Sequence, residues 1–313
     1  MIVDTIDLKQ LALELGFDNV GVTPAIPIPE ALAAYRDWLG LGFHGEMGYL
    51  AEHEILKQDP TELLPGAKSV IAVSMNYYQE PDTSLKISRY ALGRDYHRVM
   101  RQRLKQLSDL LDHHYRGEEF RACVDSSPIL ERAYAHLAGL GWFGKNTMLI
   151  DSKRGSWFFI GILLTTIEFE PTPPSPGGCG TCRKCIEACP TGAIVNVNDR
   201  WQVDSNQCIS YQTIEKKGEL NIDPHGWVFG CDVCQEVCPF NEVRASQPLR
   251  GATTREPGFL VQRTFPSLAE MADISHEDWD ELTRGSAIRR TGYEGLKRNA
   301  QKALESSRDR LDA

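Results

Sequence analysis

The 313-residue chain carries 34 Lys and Arg against 43 Asp and Glu, a formal net charge of −9, with 42% apolar and 9% aromatic residues. This is globular composition with ample material for a core and about two domains, and it excludes disorder and collagen-like structure. The longest near-continuous apolar stretch, 157–164, is far short of the roughly 20 residues of a membrane helix, so no membrane partner is expected. The opening Met1-Ile2-Val3-Asp4-Thr5-Ile6-Asp7 has two acids and no basic region, unlike a secretory signal; a cytoplasmic protein is expected.

Along the chain, Ile6, Leu8, Leu11, Ala12 and Leu15 recur at helical spacing, with Gly16 as a stop. Residues 19–23 read as a short strand and 66–75 as a buried one, and Tyr96, Val99, Met100, Leu104, Leu107 and Leu111 form one helix face. Further strands are predicted at 120–124, 147–150 and 157–167, with a helix from Pro128 to about Ala138, N-capped by Ser127 with Pro128 at its first position. The class is α+β, a mixed β-sheet with flanking helices over residues 1–167. Four prolines in 168–178 mark a linker. A cysteine-rich unit spans 179–245, and 246–313 reads as linker and then a short, basic helical tail.

Two stretches are locally basic: 86–105 has seven basic residues and one acid, and 284–302 has six and one. They offer either phosphate contacts or a plain solvated helix face.

Eight of the nine cysteines fall between Cys179 and Cys238. Cys179-x-x-Cys182-x-x-Cys185-x-x-x-Cys189-Pro190 has the spacing of the bacterial ferredoxin run, in which three thiolates hold one cubane and the fourth reaches a neighbouring cluster. Cys231-x-x-Cys234-x-x-x-Cys238-Pro239, with Cys208 upstream, completes the pattern. The exchange rule assigns Cys179, Cys182, Cys185 and Cys238 to one [4Fe-4S] cluster, and Cys189, Cys208, Cys231 and Cys234 to the other. Structural zinc also takes four cysteines, but the C-x-x-C-x-x-C triplet and the prolines after both distal cysteines favour iron-sulfur. Two such clusters form a path for single electrons. Cys123 follows an apolar strand and reads as a small buried hydrophobe.

A ferredoxin unit leaves most of the chain to hold an electron acceptor, a substrate or both, and no G-x-G-x-x-G follows a strand and no Walker A run is present. Asp125 sits where a strand ends and a helix begins, a place that often lines active sites; helix capping is the alternative.

The run 124–133 (VDSSPILERA), the run 138–147 (AGLGWFGKNT), Gly155-Ser156-Trp157-Phe158-Phe159, both cysteine runs, Gly230 to Pro239, Gly93-Arg94-Asp95-Tyr96-His97 and the late Gly285 to Arg290 together resemble the epoxyqueuosine reductase family. The resemblance implies reduction of the epoxide of epoxyqueuosine in tRNA to queuosine, the last step of queuosine biosynthesis, with two [4Fe-4S] clusters passing electrons to cobalamin. It implies a catalytic proton donor at Asp125 and cobalamin contacts from Lys57, Ser88, Asp125, Leu149, Ile160 and Asp232. It further implies a tRNA anticodon stem-loop gripped by Lys216, Lys217, Gly218, Arg289 and Arg290. No histidine falls in a motif demanding a cobalt ligand. Many relatives continue into a helical-repeat domain, so docking here is expected to lean on the tail from Arg284 onward. The electron donor is external and unnamed, and a monomer is expected. Two other readings stay open: another corrinoid-dependent reductase, such as a reductive dehalogenase relative, and a ferredoxin-type electron-transfer module.

Overall fold

The computed structural model describes residues 7–309; Ile6, in the first predicted helix, lies outside them. Helix α1 (Leu8–Glu14) is capped by the Asp7 carboxylate, which accepts from the N–H groups of Lys9 and Gln10. Strand β1 (Asn19–Pro24), helices α2 (Pro29–Gly40) and α3 (Gly48–Glu52) and strands β2 (Ser69–Asn76) and β3 (Lys86–Ile87) follow. Then come the long helix α4 (Tyr96–His114), β4 (Phe120–Cys123), α5 (Glu131–Leu137), β5 (Trp142–Phe143), β6 (Leu149–Ile150) and β7 (Phe158–Thr165).

Four strands form one sheet in the order β1-β2-β7-β4, antiparallel at every step. The central pair, β2 and β7, is covered on both faces, which is why both read as continuous apolar runs instead of alternating. On one face Ile71, Val73 and Met75 meet Met100, Leu104, Leu107 and Leu111 of α4; on the other, Val70, Ala72, Ile162 and Leu164 meet Tyr134 and Ala135 of α5. The expected α+β class with flanking helices is what the chain adopts.

Helix α5 begins three residues later than the sequence suggests. Ser127 and Pro128 lie in a bend, and Leu130 occupies the N-cap with no side-chain bond. The reason is upstream: Asp125 takes a left-handed backbone, φ 49°, so the chain leaving β4 spends five residues reversing direction before helical geometry can start. That reversal is closed by the Ile129 N–H donating to the Ser127 carbonyl.

The segment 168–178 has neither helix nor strand, yet it is tied down, with Thr172 and Val22 exchanging hydrogen bonds of 2.9 and 3.0 Å. Beyond it lie α6 (Lys184–Ala188), the hairpin β8 (Ile194–Val197) and β9 (Arg200–Val203), α7 (Ile209–Ile214), β10 (Trp227–Phe229) and α8 (Val233–Glu236). Helices α9 (Leu268–Ala272), α10 (His276–Thr283) and α11 (Gly292–Asp309) complete the chain. Strand β10 pairs in parallel with β3, and a third core joins Leu85, Ile87 and Leu92 to Val228, Phe229, Met271 and Leu296. Asn299 of α11, fully buried, donates to the carbonyls of Thr213 and Val228 at 2.7 and 2.9 Å. No helix of the described residues is long and apolar enough to cross a membrane.

Gly21 marks the tightest approach in the sheet, because a Cβ there would stand 1.8 Å from the Ala138 carbonyl oxygen. Gly21→Ala is expected to cost at least about 1–3 kcal/mol by overpacking, read as a lower denaturant midpoint with an unchanged slope.

Candidate active site and thiol sets

The ladder between β4 and β7 stops at Cys123 opposite Ile162. Continued, it would set Asp125 opposite Ile160, but the left-handed turn at Asp125 carries the chain away and leaves 158–161 of β7 without β4 beside it. Asp125 therefore stands at an open sheet edge with 59% of its side chain exposed. Asp and Asn tolerate this backbone region better than other non-glycine residues.

Three elements converge on that carboxylate. His97, in the first turn of α4, places Nε2 3.0 Å from Asp125 Oδ2, and its Nδ1 lies 2.7 Å from Asp95 Oδ1. Asp95 is also the N-cap of α4, accepting from the His97 N–H, so the residue that starts the helix also orients the ring. Tyr96 stacks on Phe159 of β7 with ring centroids 4.2 Å apart, and its side chain hydrogen-bonds Asp125. From α5, Glu131 Oε1 accepts the Asp125 backbone N–H at 2.5 Å, and Arg101 of α4 donates to Ser126 Oγ at 3.0 Å.

The charges settle accordingly. Burial alone would raise the Asp125 carboxyl, but the His97 hydrogen bond and charge, the Tyr96 bond and the Arg290 guanidinium together hold it below the usual carboxylate range. Burial alone would lower His97; its bonds to Asp125 and Asp95 outweigh this and bring it to about 9. At neutral pH the pair is thus an ionised carboxylate facing an imidazolium. Glu131 goes the other way, pushed up to about 8 by burial and by the Asp125 charge.

Around the hollow, the Lys57 ammonium is held down by burial while Glu131 and Asp125 act against that, and it lies over the Tyr35 ring at 5.4 Å. Tyr49 lies within electrostatic reach of Asp125, Arg290 and Glu215. Among the residues expected to grip RNA, Arg290 makes a two-pronged bond to Glu215 at 2.9 and 3.0 Å and lies over Tyr49 at 5.7 Å. Arg289 stacks on Trp279 at 4.7 Å and pairs with Asp280. Lys216 pairs with Glu46, Lys217 is exposed, and the Gly218 carbonyl accepts from Arg298. Thus Arg290 reaches the Asp125 hollow, whereas Arg289 faces α10.

The eight clustered thiols sort into two groups by their mutual electrostatics. Cys185 responds to Cys179, Cys238 and Cys182; Cys231 responds to Cys208 and Cys189, and Cys234 to Cys208, Cys231 and Cys189. These are the two sets that the exchange rule pairs. The sets adjoin, since Cys234 also feels Cys185. The first set lines a cavity with Lys145, Asn146, Ile150, Lys184 and Phe240. Beside it Trp142 is buried with an indole N–H that has no partner among the described residues. Four thiolates per set, with a spare buried donor next to one of them, suit sulfide-rich clusters. Cys123 is buried apart from them, as expected.

Asp232, next to Cys231, is 3% exposed and accepts from the Arg89 N–H at 2.8 Å and from Ser88. Gly230 makes this possible: at φ 69° it leaves room where a Cβ would stand 2.2 Å from Ser88 Oγ. Burial raises the Asp232 carboxyl against those bonds. The Arg89 guanidinium, over Trp157 at 5.1 Å, bonds Asp232 and Glu236 at 3.2 and 2.5 Å. Tyr90 lies within electrostatic reach of both Asp125 and Asp232. Ile160 is half-buried at the core's edge, while Leu149 is buried inside it. The separate 1200 Å³ groove between α4 and the C-terminal helices includes none of these residues.

His97, Glu131, Tyr49 and Arg89 were not singled out in the sequence as site residues. The available signal was Asp95-Tyr96-His97 at a helix start, where an N-cap acid and a histidine two residues on can share a hydrogen bond.

Residues 57–126 match the family model described as epoxyqueuosine reductase QueG, and 178–241 match that of a 4Fe-4S double cluster binding domain. An epoxyqueuosine reductase of Gloeobacter violaceus is 41% identical over 319 residues, covering 97% of each chain. That of Escherichia coli K12 is 42% identical over 95% of this chain and 79% of its own. The structure of epoxyqueuosine reductase from Streptococcus thermophilus superposes with a TM-score of 0.83 at 27% identity, covering 98% of this chain and 82% of its own. An epoxyqueuosine reductase crystallised with an epoxyqueuosine-modified tRNA-Tyr stem loop gives 0.81 at 28%, covering 95% and 80%.

The His97–Asp125 pair has a readable signature. The His97 ring should titrate near 9 by NMR and fall back toward its ordinary range in Asp125→Asn. Because the folded value is raised, the pair's stabilisation is full below about pH 6.5 and fades as pH climbs through about 9. His97→Gln should therefore unfold at lower denaturant than wild type at about pH 6, with the gap closed by about pH 10.

Proposed function

Because this chain belongs to the epoxyqueuosine reductase family, we infer that it reduces the epoxide of epoxyqueuosine in tRNA to the alkene of queuosine, as a cytoplasmic enzyme, with the Asp125 hollow as its active site. The observation that carries the site assignment is the His97–Asp125–Asp95 hydrogen-bond chain at an open sheet edge, with Tyr90 within electrostatic reach of both Asp125 and Asp232. Neither the electron-transfer module nor a generic corrinoid reductase accounts for that chain together with Arg290 and Tyr49 at its rim.

Epoxide removal takes two electrons and two protons and releases water. Cys179, Cys182, Cys185 and Cys238 hold one [4Fe-4S] cluster, and Cys189, Cys208, Cys231 and Cys234 the other; each passes electrons singly. Cobalamin, which the resemblance brings in, would supply two-electron, nucleophilic cobalt chemistry when bound. The residues fit it: at the stretch 158–161 that β4 leaves free, Ile160 and Phe158 would offer apolar surface and Lys57 a polar contact, with the buried Ser88 and Asp232 supporting from below. Leu149 supports from within the core.

The proton comes from the Asp125–His97 pair. With the hollow open, the acidic proton rests on His97 Nε2. When substrate covers the site and excludes water, the charge-separated pair loses its solvation and the neutral form gains, moving the proton from His97 Nε2 to the Asp125 carboxyl group, which then hands it to the departing oxygen. Glu131, near neutral pH in its own right, fixes the loop through the Asp125 N–H. Arg290 and Tyr49, with Lys216, Lys217, Gly218 and Arg289 beyond them, receive the anticodon stem-loop, whose unstacked base enters by stacking and hydrogen bonding.

Asp125→Asn should keep both clusters and bind cobalamin, yet lose about 10²–10⁴-fold in turnover, measured by mass analysis of tRNA nucleosides; near-normal turnover removes Asp125 from the reaction. Cys234→Ser should lose the second cluster, seen as about half the iron of wild type while the first cluster's absorption remains.

A further inference from the structure

The two thiol sets are not equivalent in position. The second adjoins Asp232, which shares Tyr90 as a neighbour with Asp125, whereas the first lines a small cavity completed by Lys145, Lys184 and Phe240. What surrounds that cavity is cationic. Arg183, 55% exposed, shares the Trp201 ring with Lys145, each at 5.8 Å. Glu242, on the same rim, sits among Arg244, Lys184 and Arg250, the last buried over Phe240 with its guanidinium on the Ser152 carbonyl. The carboxylates there, Glu187 and Glu242, each pair with a rim arginine. A protein of net charge −9 thus presents a positive collar around the outer of its two electron sites.

We propose that this collar is the docking face for a small acidic one-electron carrier protein. The proposal rests on the reading that Cys179, Cys182, Cys185 and Cys238 hold a cluster. Opposite potentials steer and orient such transient encounters more than they tighten them, which suits a partner that must arrive, discharge and leave. In each encounter the reduced carrier gives one electron to the outer cluster, the carrier being oxidised and the cluster reduced by one; two encounters supply the pair that, with two protons, releases the epoxide oxygen as water. RNA is the weaker occupant for this face, since the substrate base must reach the Asp125 hollow, which has its own rim of Tyr49 and Arg290.

The test uses the holoenzyme, a reduced acidic plant-type [2Fe–2S] ferredoxin as probe, and Arg183→Glu. The ferredoxin concentration for half-maximal turnover should rise about tenfold or more, and the wild-type ferredoxin-driven rate should fall as salt is added. Dithionite-driven turnover, iron content and affinity for the modified stem-loop should not change. An unchanged ferredoxin requirement overturns the docking face, as does a loss confined to stem-loop affinity. Loss of iron or of dithionite-driven turnover in the Cys179 and Cys238 serine variants decides the separate question of the cluster reading. Arg244→Glu, outside α6 and its thiols, gives a second reading of the collar: labelled ferredoxin titrated with it should show weakened binding, and equal binding sinks the proposal.

Discussion

A single hydrogen bond between two distant parts of the chain, His97 Nε2 to Asp125 Oδ2, organises the reactive end of this molecule. It forms only because β4 stops short on β7 and Asp125 turns back in a left-handed conformation, while Asp95 fixes the first turn of α4 and the rotation of the imidazole. Strand end, loop strain and helix cap are three local choices that make sense together. Jointly they store an acidic proton beside a partly exposed carboxylate at neutral pH.

Polarity runs along the molecule in a consistent direction. The outer thiol set meets solvent through a cationic collar, the inner set is wrapped by Ser88, Arg89 and Asp232, and the hollow beyond it is ringed by ionisable groups that hold one another's charge states. Arg89 ties these zones: its backbone and guanidinium hold Asp232, its side chain reaches Glu236 on the helix after Cys234, and its ring partner Trp157 lies just before β7. The unit that handles electrons and the unit that handles protons thus share a buried, hydrogen-bonded seam instead of a flexible joint.

The sequence was legible where chemistry restricts spacing. Cysteines two or three residues apart on tight loops stand out in a sequence, so both cysteine runs and an expected grouping were visible before any coordinates. Buried central strands and the apolar stripe of α4 were equally plain, since β2, β7 and α4 carry long periodic signals. Asp125 stood out only by its place between strand and helix. The rest depended on contacts across the fold: nothing local marks Glu131 as the acceptor for Asp125, or Tyr49 as a neighbour of Arg290. The start of α5 was misplaced because Ser127-Pro128 has good capping chemistry, whereas the left-handed turn two residues earlier, which tertiary structure imposes, governs the chain there. The basic run 86–105 looked like one surface, yet it is dispersed: Arg89 turns inward, Arg101 meets Ser126, Arg103 meets Glu256 and Lys105 meets Asp109.

The third core has a temporal implication. Its walls come from opposite ends of the chain, as in the Ser286 hydroxyl that donates to the Ala91 carbonyl across 195 residues, and Asn299 locks the inner thiol unit to α11. Contacts of such long sequence separation carry the full cost of closing the intervening loop before any of it is recovered. During synthesis the β1-β2-β7-β4 sheet can collapse early, but the shell around the inner thiol set closes only once α11 has been made. Those thiols are therefore open to loading in the interval between the two events.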